Sequence, residues 1–190
     1  MANVVLFISE QYLKDLSVLD ENVDMKLLRI SILEAQEMHI RHAIGSGIYD
    51  QLVSQKAAGT LTALNTTLLD TYIAPALKQY AMYEGASYLS FKFTNKSIVK
   101  KNSENSTAIE GYDIVRFMDD FKRKGEYYLE RMRKYLIENN ADYPLFYNPG
   151  NAVDTIHPDN KTYGSIIYTH RKGNRCTDEI DRLENPGTCC

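Results

Sequence analysis

The chain of 190 residues contains no tryptophan, and its three cysteines, Cys176, Cys189 and Cys190, all stand at or beyond position 176. Their spacing is not that of a paired-cysteine zinc site, and nothing in it suggests a disulfide framework. Proline is almost absent from most of the chain: Pro75 is the only one before Pro144. A basic surplus is missing as well, with Lys+Arg 22 against Asp+Glu 25 and a formal charge of -3. A general nucleic-acid binder would need such a surplus to displace counterions. Long apolar runs are lacking too. The opening stretch Val4-Val5-Leu6-Phe7-Ile8 has no basic residues before it and is far shorter than the ~18 residues of a membrane span. No membrane partner and no signal peptide are expected, and the chain reads as a soluble, intracellular protein.

Catalytic signatures are equally scarce. There is no phosphate-cradling Gly-x-x-x-x-Gly-Lys-Ser/Thr, no Gly-x-Gly-x-x-Gly and no Gly-x-Ser-x-Gly. Glu34, Glu37, His39 and His42 share one predicted helix, but neither glutamate has a histidine three residues on, as a di-iron bundle requires. They read as a polar face or part of a subunit contact. No enzyme, no cofactor and no metal are expected.

What the chain does contain is helical periodicity. Ser9 caps a short helix to about Ser17, and the run from Asp20 to Asp24 caps a second that reaches about Ala43. The apolar residues of this second helix, from Met25 through Leu28, Ile32 and Met38 to Ile40, cover more than one face, which predicts burial on several sides. Gly45 and Gly47 break it, and a short helix to about Ala57 stops at Gly59. A third long helix spans about Thr67 to Ser90, with Pro75 marking a kink or a junction. Thr107 and Glu110 form a capping box for a final helix to about Asn140. Along it Ile114, Met118, Phe121, Gly125, Tyr128, Met132 and Tyr135 alternate spacings of four and three, a single packing seam. Gly125 costs about 1 kcal/mol within a helix, so a neighbouring backbone is expected to approach it closely.

Between the last two helices lies Phe91-Lys92-Phe93-Thr94-Asn95-Lys96-Ser97-Ile98-Val99-Lys100-Lys101, a short hairpin or loop. Lys92, Lys96, Lys100 and Lys101 have no acid among them and are flanked by Phe91 and Phe93. Two readings are open: a solvated loop, or a basic projection touching an acidic partner or passing DNA through phosphate contacts. After Tyr143 the composition changes. Pro144, Pro149, Gly150, Pro158, Gly164, Gly173 and Pro186 punctuate a tail too poor in apolar groups for its own core. The tail is either disordered or an arm laid on other chains, with Tyr163, Ile166, Ile167 and Tyr168 in a strand-like stretch suited to strand addition. The expected fold is therefore mainly α: a bundle of about four helices (residues 1–143), a hairpin or loop excursion, and an extended Pro/Gly-rich C-terminal arm (residues 144–190).

The order of segments carries a resemblance. Ile8-Ser9-Glu10-Gln11-Tyr12-Leu13-Lys14, the run Thr67-Leu68-Leu69-Asp70-Thr71-Tyr72-Ile73-Ala74-Pro75-Ala76-Leu77-Lys78-Gln79-Tyr80, and the block from Tyr88 to Asn105 are similar to the head-to-tail connector (adaptor) proteins of tailed bacteriophages. The likeness, spanning roughly residues 6–140, is greatest to those of crAss-like and other Bacteroides-infecting phages. It implies a non-catalytic virion protein at the neck, made in the host cytoplasm. It also implies a homo-oligomeric ring, commonly twelve-fold, that binds the portal protein and tail or further connector proteins, with transient non-specific contact to DNA in its channel. The alternative is a small helical nucleic-acid-binding regulator using the Lys92–Lys101 loop.

Overall fold

The computed structural model describes residues 4–93, 98–100, 111–150 and 154–158. The chain divides into two units, Met1–Asp159 and Asn160–Cys190, and all the described residues belong to the first. Its architecture is mainly α, a bundle of about four principal helices with one short hairpin.

The Ser9 hydroxyl accepts from the Tyr12 amide at 3.0 Å and starts helix α1, Glu10–Asp15, which buries Leu13. Asp24, the last residue of the capping run, caps α2 (Met25–Ala35), its carboxylate accepting from the Lys26 amide at 2.9 Å. Helix α2 then passes through a widened π stretch, Gln36–Ile40, into α3, Arg41–Ala58. The break predicted at the glycines falls at Gly45, where the backbone turns to φ 77°. Gly59, at φ 67°, closes α3 in the left-handed conformation that glycine adopts without steric cost.

Thr62 caps a short α4, Ala63–Thr67, which continues through a second π stretch, Leu68–Ile73, into α5, Ala74–Ser90. Pro75 thus marks a junction, as expected. It follows the π stretch, where the Ala74 amide already bonds five residues back to the Leu69 carbonyl, and this widened ladder passes over the proline's missing N–H. Helix α5 is the centre of the bundle, packing most extensively on α2 and on the final helix α6, Gly111–Glu138. Ala76, Leu77, Tyr80, Ala81 and Met82 are all buried, so α5 is enclosed round most of its circumference. Each large aliphatic side chain so enclosed stabilises the fold by about 1.5–3 kcal/mol. Small residues permit close packing here: a Cβ on Gly85 would lie 2.8 Å from the Ser31 hydroxyl of α2.

The predicted seam of α6 faces inward, with Ile114, Phe121, Met132 and Leu136 among its buried residues. The neighbour at Gly125 is not a backbone, however. The Tyr80 ring fills the space, its Cε2 lying 2.9 Å from where a Cβ would stand. The excursion before α6 is a hairpin of β1 (Phe91–Phe93) and β2 (Ile98–Lys100), pairing Phe91 with Lys100, Lys92 with Val99 and Phe93 with Ile98. The capping box Thr107–Glu110 lies outside the described residues.

The boundary expected at residue 143 is corrected, because residues 144–158 belong to the helical unit. Tyr143 is buried and donates its hydroxyl to the Leu64 carbonyl at 2.9 Å. A 3-10 turn, Pro144–Phe146, buries Phe146, and the chain then returns across α3 as a strap. The Ser46 amide donates to the Ile156 carbonyl at 2.9 Å, and the Ile156 amide donates back to the Ser46 hydroxyl at 3.2 Å. Gly45 and Gly47 admit the strap. A Cβ at Gly45 would stand 2.8 Å from Pro158 Cδ, and one at Gly47 would stand 2.7 Å from Pro149 Cα. Proline content alone misplaced the boundary: these prolines pack against glycines of the chain's own helix.

Gly45→Ala combines a left-handed φ with collision against the strap, whereas Gly59→Ala meets nothing within 4 Å. Gly45→Ala should therefore cost about 2–4 kcal/mol and Gly59→Ala only about 1–2 kcal/mol. Urea unfolding of both variants measures this, and equal losses would refute the strap's role.

Candidate contact surfaces

Of the residues singled out in the hairpin, Phe91 is exposed at the start of β1. Lys92 and Phe93 also lie in β1, and Lys100 lies in β2. In the register Lys92 pairs with Val99 and Lys100 with Phe91. Lys96 and Lys101, and the arm residues Tyr163, Ile166, Ile167 and Tyr168, lie outside the described residues.

The polar set on the second helix is engaged within the chain, its members half-buried or exposed. The His39 imidazole pairs with Glu84 of α5 at 2.8 Å and stacks on the Tyr80 ring with centroids 4.0 Å apart. Tyr88 donates its hydroxyl to both carboxylate oxygens of Glu34, at 2.9 and 2.8 Å. Tyr49 donates to Glu37, which also accepts from Arg41 at 3.2 Å. Gln36, buried at the head of the π stretch, accepts from the Phe7 amide at 2.8 Å and donates to Tyr49 at 2.9 Å. These groups fasten α2, α3 and α5 to one another, and His42 is left exposed. Among the described residues, no group of three or more His, Cys, Asp or Glu is placed to hold a metal ion. No described helix is long and apolar enough to cross a membrane.

The surfaces that do face outward were not picked out by sequence reasoning. The first is on α6. One position before each seam residue runs a second strip with the same four-and-three spacing, Asp113, Phe117, Asp120, Lys124, Tyr127, Arg131 and Lys134, which Glu138 continues by one step of four. From end to end it covers about 38 Å of helix. Phe117 is 50% exposed and Tyr127 67% exposed. Asp120 pairs with Arg123 at 2.6 Å and with Lys124, and these two cations hold its carboxyl below the usual range, Lys124 having the larger effect. Arg131 lies over the Tyr72 ring, 5.1 Å from its centroid. Applying the seam's spacing one residue earlier would have exposed this aromatic and cationic row.

The second outward surface is on α2 and the π stretch after it, where Met25, Ile30 and Met38 are 52%, 38% and 57% exposed. The several-sided apolar character read from the sequence is real, but this chain alone does not cover it. A groove of about 880 Å³ forms a third feature, between the turn Asp15–Val18 and α6, with Gln79 and Met82 of α5 at its base.

Tyr80 offers a test of the junction. Burial, and secondarily the Glu126 carboxylate, push its phenol up to about 12 from the ordinary 10.0, against an opposing effect of Arg133. The folded state holds this proton more tightly than the unfolded chain. The contribution to stability is therefore complete below pH 10 and is lost as pH rises towards 12. Denaturation at stepped pH should show wild type losing stability more steeply over that window than Tyr80→Phe. Parallel curves would reject the assignment.

No curated protein and no solved structure matches the chain. A family model does match, over residues 40–156, from the last residue of the first π stretch to the strap residue that bonds Ser46. The chain belongs to that family, DUF6712, a family of unknown function.

Proposed function

We propose that the protein is a structural, non-catalytic subunit that assembles head to tail into a ring, acting as a connector between portal and tail in a phage virion. The observation that carries this reading is the pair of uncovered apolar faces on the two helices flanking α5. One presents Ile30 and Met38, which fall on one side of α2 and the π stretch, and the other Phe117 and Tyr127 among charges. The two differ in chemistry, one aliphatic and thioether, the other aromatic and charged. Two unlike patches meeting between successive copies make a heterologous contact, which closes into a ring when the rotation allows. The resemblance of residues 6–140 to phage connectors supports the same reading, and from it come the portal and tail partners and transient DNA contact in the channel.

Head-to-tail assembly makes a distinctive prediction. Ile30→Glu with Met38→Glu should abolish self-assembly, as should Phe117→Glu with Tyr127→Glu. Mixing the two double variants should restore one intact interface and yield a heterodimer of defined mass by native mass spectrometry. Wild-type protein that stays monomeric at high concentration and with portal protein, or variants that still assemble alone, would defeat the proposal.

A further inference from the structure

We propose that the groove between the Asp15–Val18 turn and α6 receives the acidic segment Asp178–Glu184 of a second copy. This goes beyond the ring reading by naming a docked segment, and it rests on that reading for the presence of a second copy. The groove is built for an amphipathic anionic peptide. Its apolar lining comes from Leu16, Tyr127 and Tyr128 with the buried Met82 and Phe121. Lys78, Arg123 and Lys124 line it against a single carboxylate, Asp15, which is itself engaged by Gln11 at 2.7 Å. Asp120 answers part of the charge of Arg123 and Lys124 from beside the groove, while Lys78 stands on α5.

The chain carries a segment of matching chemistry. Asp178-Glu179-Ile180-Asp181-Arg182-Leu183-Glu184 sets four carboxylates and one guanidinium around Ile180 and Leu183. Two aliphatic side chains three residues apart suit the anchor spacing of a peptide laid in an apolar groove, with its acids meeting the cationic rim. Reach is ample. The stretch between Pro158 and Asp178, at ~3.3–3.6 Å per residue, extends to about 70 Å, longer than the whole of α6.

Cysteine trapping in the full chain tests the docking. With Cys189→Ser and Cys190→Ser, Cys176 becomes the only natural thiol and stands two residues before the segment. Ser17→Cys then places a partner at the groove, and Ala58→Cys, outside it, serves as control. Under mild oxidation, Ser17→Cys should link to Cys176 between differently tagged copies, and Ala58→Cys should not. Reversing the tail's charge with Asp178→Lys, Glu179→Lys and Asp181→Lys leaves every described residue untouched and should cut the link by about tenfold or more. Lys78→Glu, Arg123→Glu and Lys124→Glu in the receiving copy should restore it. An oligomer that persists without any Ser17–Cys176 link overturns this inference alone, as does a link confined to single chains. The same holds for a link indifferent to charge reversal, or for a groove shielded equally with and without residues 178–190, which would make another face of the second copy its occupant. Absence of any oligomer overturns both this docking and the ring.

Discussion

The bundle depends on where the Tyr80 ring is held. One face of the ring stacks on His39, and its edge occupies the volume that any side chain at position 125 would need. A single aromatic on the central helix therefore sets the approach of the π stretch on one side and of α6 on the other. Close-packed interiors transmit such constraints, because little empty space exists to absorb a shift. The His39–Glu84 pair and the Tyr88–Glu34 bonds then fix the rotation of α2 about α5. Polar contacts specify the arrangement that apolar burial stabilises.

Helices were legible because their signals are local. Ser9, Gly45, Gly59 and Pro75 each act on the backbone within a turn of themselves, and the α6 seam announces its inward face by spacing alone. Contacts between distant segments were not legible. Nothing near Gly125 in sequence indicates that Tyr80 fills its place, and nothing near Pro149 or Pro158 points to Gly47 and Gly45. The two π stretches also escaped, since a widened turn leaves no composition mark. For the outer surfaces, lysine density marks the hairpin in the sequence, whereas Phe117 and Tyr127 stand among charges with no signal of their own. An exposed aromatic next to a packing row is visible only once the inward face is known.

The uncovered faces lie on the helices that flank α5, and the groove takes only the Lys78, Gln79 and Met82 side of α5 between them. The central helix is spent on the interior, and its flanking helices hold the surface available to other molecules. Such a division lets contact chemistry vary along α2 and α6 while Ala76, Ala81, Gly85 and Gly125 preserve the spacing within.

The strap has a consequence for the order of events during folding. Ser46 and Ile156 are separated by 110 positions, a large loop to close for three hydrogen bonds and a few apolar contacts. Helices α1 to α6 can form and pair through nearer neighbours first, because loop-closure entropy penalises distant contacts. On a ribosome, α3 is complete long before Ile156 has been synthesised. Gly45 therefore waits with its left-handed turn unsupported, and the arrival of the strap is the late step that locks it.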